Sequence, residues 1–186
     1  MKRKVLILFG SAVIAAAAAE APTIAKIYDG NLSIAESEIV PLAEAMPADK
    51  YDFAPTDGAF KGVRTFGQQV KHMASTIYGL SASIAEQKPP ADVGGEDGPA
   101  SVKTKDDIVK YLKDAFAYSH KVMQSMTPEN QLRMVKFPFG GEQPRGAIAE
   151  LVVWHCFDHY GQMVVYARMN GVIPPASQPR PPAAKK

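Results

Sequence analysis

Cysteine is almost missing from this chain. Cys156 is the single one among 186 residues, which rules out any intrachain disulfide and leaves stability to the packed core. Glycine-rich phosphate loops and dinucleotide fingerprints are absent too, so nothing points to a nucleotide substrate. No internal repeat is visible. Net positive charge is confined to the first few residues. Removing Lys2, Arg3 and Lys4, with no acid before Glu20, lowers the formal net charge from +2 to −1. A near-neutral chain whose only other basic cluster is Lys185-Lys186 offers no footprint for nucleic acid, and no nucleic-acid partner is expected.

The one long apolar run lies at the start. Lys2-Arg-Lys4 is followed by the apolar stretch Val5–Ile14 and the small-residue run Ala15–Ala19, the layout of a secretory signal peptide over 1–19 cleaved before Glu20. An uncleaved anchor is the alternative, but a spanning helix requires about 20 strongly apolar residues and much of this run is alanine. The expectation is therefore a periplasmic or secreted protein with no stable membrane span after cleavage. The chain beyond the leader is long enough for one domain, placed at 20–175, and the Pro/Ala-rich tail 176–186 is expected to be disordered.

Four stretches carry helical periodicity. The first spans about Thr23–Met46, with Ile24, Ile27, Leu32, Ile39, Leu42 and Met46 as core positions and Pro41 as a kink or a break. The second spans about Gly62–Glu86, with an apolar stripe from Phe66 to Ile84. The third begins after Thr104, whose hydroxyl caps it, with Asp106 and Asp107 in the first turn. The fourth runs from about Arg145 to Asn170 and ends at Gly171. With few charges on any side, it reads as a central, buried helix. Met134–Glu142 suits a short hairpin, and the Pro/Gly linker 88–99 separates the second and third helices. The pattern is an all-α four-helix bundle, in which the long second connection permits a crossover.

Chemistry concentrates in the fourth helix, in His155-Cys-Phe-Asp-His159-Tyr-Gly-Gln162. At 100° per residue His159 stands about 40° from His155, and Gln162 about 20° on the other side. Two imidazoles one turn apart can reach one ion at roughly 2.0–2.1 Å per nitrogen. The alternative is a pair of core histidines, each hydrogen-bonded to backbone or water. His72 lies on a face of the second helix shared with Thr65, Gln69, Thr76, Gly79 and Ser83, none of them charged. Such a face resembles a pocket wall more than a solvated surface. His120, beside Lys113, Lys121 and Gln124, reads as a boundary residue. Cys156 points away from His155 and reads as a structural thiol. Trp154 and the methionines read as core. Asp158 is placed either to hydrogen-bond a ligand imidazole or to sit as a solvated charge.

Together these elements resemble the DinB-like family of helical-bundle metalloproteins. The resemblance rests on His72, on His155-x-x-x-His159-x-Gly161-Gln162, and on Arg168-x-x-Gly171-x-x-Pro174. It includes the run Leu42-Ala-Glu-Ala-Met-Pro-Ala-Asp-Lys-Tyr-Asp-Phe-Ala-Pro55-Thr and extends over about Thr23–Pro175. It implies a four-helix bundle with a long crossover, a divalent metal held by His72, His155 and His159, and a homodimer. Relatives with known activity are thiol-dependent, such as bacillithiol transferases and a mycothiol-dependent isomerase. They act in the cytoplasm, whereas this chain carries an export leader. The leading expectation is an exported metalloenzyme of hydrolase or thiol S-transferase type, using metal-bound water and an unidentified small-molecule substrate. Zinc is the first choice for three imidazoles, with nickel, iron and manganese also acceptable. The alternatives are a non-catalytic metal-binding bundle and a partner-binding bundle with a vestigial site.

Overall fold

The computed structural model describes residues 21–179. The expected leader 1–19 and the end of the tail, 180–186, lie outside the described residues. Four helices dominate: α1 (Ile24–Ala45), α2 (Phe66–Ala85), α3 (Lys105–Gln124) and α4 (Arg145–Met169). Each of the first three starts has a local cause. The hydroxyl of Thr23 accepts the Lys26 N–H at 3.2 Å and caps α1. Thr65 and Gln68 form a reciprocal capping box on α2, and Thr104 and Asp107 form one on α3. The box at Thr65 explains why α2 begins at Phe66 and not near Gly62. Gly171, at φ +74, terminates α4 as its sequence position requires.

Pro41 neither breaks nor divides α1, which continues through it. The carbonyl that Pro41 cannot bond belongs to Ser37, an exposed residue, where water can serve it. Ile39, Val40, Leu42 and Ala43 are buried on both sides of the proline and hold the helix in place.

In the bundle α1 packs on α3 and α4, and α2 packs on the same two helices. Consecutive helices α1 and α2 therefore stand across from each other, as do α3 and α4. The connections that cross the bundle are the first and the third, whereas the second, whose length permits a crossover, joins the neighbours α2 and α3. The first connection makes its passage with a short 3₁₀ turn at Ala48–Lys50 and a buried Tyr51, whose hydroxyl donates to the Ala43 carbonyl at 2.6 Å. Gly67 eases a tight approach here: a Cβ would stand 3.1 Å from both the ring and the carbonyl of Tyr51, which would have to shift by a few tenths of an ångström. The third connection contains the expected hairpin, β1 (Met134–Lys136) antiparallel to β2 (Glu142–Pro144), with Val135 opposite Gln143.

The stripes of α2 and α3 form the core, with Phe66, Met73, Ile77, Leu80, Leu112, Phe116 and Met123 almost fully buried. Each such side chain contributes about 1.5–3 kcal/mol by leaving water. Cys156 is completely buried, and burial pushes its thiol pKa far up, which makes it a structural residue. Other expectations fail at the periphery. Ile27 is exposed, because α1 begins at the rim of the bundle. Trp154 is 60% exposed, and Met134 and Met169 are also on the surface. Helix α4 is not central: it buries Ile148, Val152, Cys156, His159 and Met163 and leaves its opposite face in solvent. Even composition around a helix marks burial only when neighbours stand on all sides, and α4 has them on one side. The Pro/Ala tail does not begin loose either. Pro175–Ser177 form a 3₁₀ turn packed on α1, and Arg168 donates to the Ser177 hydroxyl at 3.1 Å.

His120 does sit at the boundary, but it has unforeseen partners on α1. Its Nδ1 lies 2.6 Å from Asp29 Oδ1 and its Nε2 3.0 Å from Glu36 Oε2, so both ring nitrogens face carboxylates. Burial alone would lower its pKa, but the hydrogen bonds and charges of Asp29 and Glu36 outweigh that and raise it. The protonated ring clamps α1 to α3, and the two carboxylates favour that form. A histidine pKa raised by folding stabilises fully below the unfolded value and loses its contribution as pH climbs through the folded value. We expect His120→Gln to cost about 1–2 kcal/mol at pH 6 in urea unfolding. The difference between variant and wild type should shrink by pH 9; a pH-independent difference would contradict an ionic clamp.

Candidate metal centre

Helix α2 supplies His72, and α4 supplies His155 and His159 from successive turns. Because α2 and α4 pack directly, the three rings meet at one seam. Ring centroids are 5.2 Å apart for His72–His155, 4.7 Å for His72–His159 and 4.5 Å for His155–His159. One ring nitrogen from each lies within 4.8 Å of the others, so the three are positioned to bind a metal ion. His159 is buried, and His72 and His155 are half-buried.

The second nitrogen of each ring decides what the first can do. His159 Nδ1 lies 2.6 Å from the carboxamide oxygen of Gln69. The amide of Gln69 is oriented in turn, since its nitrogen donates to Gln162 Oε1 at 2.9 Å. With its oxygen facing His159, Gln69 accepts a hydrogen bond from the Nδ1–H and leaves Nε2 as the ring's acceptor. His72 is treated alike: its Nδ1 donates to the backbone carbonyl of Glu96 at 2.6 Å. His155 has no such partner, and its Nδ1 is buried without a hydrogen bond.

The Nε2 atoms of His155 and His159 face each other at 3.1 Å. Two nitrogens sharing one ion at roughly 2.0–2.1 Å stand about 2.9–3.4 Å apart for angles between square and tetrahedral. The observed separation falls in that range. Protonation would not relieve the arrangement. Burial, then the neighbouring His72, lowers the His155 pKa to about 4, and burial, then His155 and His72, lowers that of His159 to about 3. Burial lowers His72 as well. At neutral pH the seam holds three uncharged imidazoles, the ligand form for a divalent cation. The residues present fit the ion that the sequence led us to expect.

The carbonyl that orients His72 comes from the linker between α2 and α3, which lies flat on α2. Arg64 donates to Glu96 Oε2 at 2.9 Å and to Asp97 Oδ1 at 3.0 Å, and Gln68 reaches Asp97 Oδ2 at 3.3 Å. Gly98, at φ +76, makes the close approach possible: a Cβ there would stand 2.8 Å from the Cβ of Lys71. Beside His72 and His155 opens a cleft of about 490 Å³, walled by α2, by this linker and by Phe139 at the hairpin tip.

Some expectations about the surroundings change. Asp158 is exposed and makes no hydrogen bond to His155, although its charge partly offsets the lowering of that histidine's pKa. Gln69 takes the supporting role instead. The sequence placed Gln69 in the pocket wall three residues before His72, on the same helical face, without assigning it a partner. Gln162 belongs to the site through Gln69, and not as a direct neighbour of the imidazoles. The Glu96 carbonyl had no sequence signal beyond the glycines around it. His120 stays apart, in its α1–α3 clamp.

No curated protein matches this chain. Several solved structures share its fold. A DinB-like protein from Bacillus cereus superposes with a TM-score of 0.63 at 16% identity, covering 80% of this chain and 93% of that one. A DinB-like protein from Bacillus subtilis gives 0.63 at 19% identity, covering 83% and 99%. A conserved protein from Enterococcus faecalis gives 0.60 at 12% identity, covering 80% and 98%. At such identities the likeness is one of fold. The DinB superfamily model matches residues 31–163, a span that includes all three histidines and most of the bundle. This four-helix chain belongs to the DinB superfamily.

Proposed function

We propose that this protein is a divalent-metal-dependent enzyme, of hydrolase or thiol S-transferase type, exported by its N-terminal leader. The observation that carries the reading is the seam of three neutral imidazoles opening on a cleft. A structural ion would call for a closed donor set, whereas His72 and His155 line a cavity that a substrate can enter. A divalent ion held there supplies Lewis-acid polarisation of a substrate oxygen or sulfur and a lowered pKa for water. Gln69 and the Glu96 carbonyl keep the donor nitrogens of His159 and His72 turned toward the ion. The walls of α2 and the linker orient the substrate and exclude bulk water on one side. Zinc is the favoured ion, with nickel, iron or manganese as substitutes. The leader pattern at 1–19 supports a periplasmic or secreted location.

Elemental mass spectrometry tests the ligands. The mature chain should carry about one divalent ion per chain, and His72→Ala, His155→Ala and His159→Ala should each lose metal affinity by orders of magnitude. His120→Ala should retain it; equal losses in all four would sink the assignment. Gln69→Leu, which removes the acceptor for His159, should weaken metal binding about 10–100-fold without abolishing it.

Chelation separates an enzyme from a metal-stabilised bundle. In the catalytic reading, stripping the metal leaves the melting temperature within a few degrees, because the helical core is complete without it. A collapse of the folded state on chelation would assign the ion a structural role.

We also propose a homodimer, and the exposed apolar side chains Trp154, Val165 and Met169 on the outer face of α4 support it. Light scattering should then give twice the chain mass, reduced to one chain mass in Trp154→Lys. A monomeric wild type would refute the pairing.

A further inference from the structure

The cleft at the histidines does not end beside them. A second hollow, of about 520 Å³, continues it along α2 and shares Gly79, Val93 and Pro138 with the first. From His72 to Glu86 the route follows four turns of helix, about 21 Å. Gly79 marks its middle. Nothing lies within 4 Å of where a Gly79 Cβ would stand, so the missing side chain leaves the passage open. Glycine inside a helix costs roughly 0.5–1 kcal/mol relative to alanine, and no packing contact requires it at this position.

The chemistry changes along the route. Polar donors cluster at the histidine end. Beyond them the wall is mainly apolar, built from Val93, Pro138, Phe139 and the backbone of Gly79, with the Thr76 hydroxyl beside it and the Ser83 hydroxyl taken up by the Lys136 carbonyl. The hydroxyl of Ser75 is already engaged, 3.1 Å from that of Tyr111. Glu96 borders the first hollow, but Arg64 holds its carboxylate. Charge returns only at the far mouth, where Glu86, paired with Arg133, stands near Lys136.

We propose that the site takes a slender amphiphile: a small molecule with a metal-coordinating polar head and an uncharged, unbranched apolar chain. The head sits at His72, His155 and His159, and the chain runs past Gly79 between α2 and the Pro138–Phe139 hairpin tip. This rests on the metal reading above and adds a substrate class to it. A bulky or multiply charged molecule would leave the apolar passage empty or bury charge without a partner. A long chain buries apolar surface that the fold leaves uncovered.

Straight-chain hydroxamates, from acetohydroxamate to decanohydroxamate, test the proposal by calorimetric titration of the metal-loaded protein. Affinity should rise about two- to fourfold per added methylene. In Gly79→Leu, metal content and acetohydroxamate affinity should stay at wild-type levels, while the gain stops once the chain reaches residue 79. Phe139→Ser, at the exposed hairpin tip, should flatten the same series without touching α2, and so checks the path if Gly79→Leu folds poorly. Acetohydroxamate binding with no chain-length gain overturns the amphiphile and leaves the metal reading intact. A gain that persists in both variants overturns the path. Equal binding of long chains by metal-stripped protein overturns the role of the head. Failure of wild type to retain metal or to bind acetohydroxamate overturns the metal reading, and this inference with it.

Discussion

Three imidazoles removed from water at one seam are the constraint on which the site depends. Burial alone makes the histidinium form costly, and each ring makes it costlier for the others. The seam therefore stays neutral, and each neutral ring offers one N–H that needs an acceptor and one lone pair that needs a donor or a metal ion. Gln69 and the Glu96 carbonyl answer the first need at two of the rings. The convergent Nε2 atoms of His155 and His159 express the second. At 3.1 Å the two atoms can share a proton or, once both are deprotonated, a metal ion that His72 can also reach.

This constraint reaches into the fold. His72 and the α4 pair meet only because α2 and α4 are neighbours, although they are not consecutive in the chain. That adjacency comes from the first and third connections crossing the bundle. The second connection is then free to lie along α2, where Arg64, Gln68 and Gly98 hold it against the helix. A linker rich in proline and glycine thus becomes part of the site, delivering one backbone carbonyl to one imidazole. At the α1–α3 seam His120 faces two carboxylates that favour its charged form, so the same residue type serves opposite ends in two environments.

Much of this was legible in residue order. The i,i+4 spacing of His155 and His159 put both rings on one face, and the uncharged surroundings of His72 marked its face as a wall. The stripes of α2 and α3 were readable because each repeats with helical period and faces a single core. What stayed hidden depends on contacts between distant segments. No local pattern says that the Glu96 carbonyl returns to His72, or that Asp29 and Glu36 on α1 bracket His120. Helix α4 misled for a different reason. Its apolar residues surround it, and periodicity cannot separate a face covered by the chain's own helices from one left to solvent, such as that of Trp154 and Val165. Pro41 misled because the cost of a lost backbone bond was weighed without the packing of Ile39, Val40, Leu42 and Ala43 around it.

Rigidity and variability are divided between different parts of this bundle, and the division bears on function. The donor nitrogens come from two packed helices, whose positions are fixed by fully buried side chains such as Met73, Leu80 and Met163. The cleft wall opposite α2 comes from a linker and a hairpin tip, irregular segments held to the helices by fewer buried side chains. In the proposed reading, the helices thus supply the ligand nitrogens while the linker and hairpin tip shape the cleft beside them. Gly79 stands between the two: it belongs to the rigid helix yet controls how far the passage extends. A single side chain added there would leave the imidazoles and their acceptors in place and change what fits beside them.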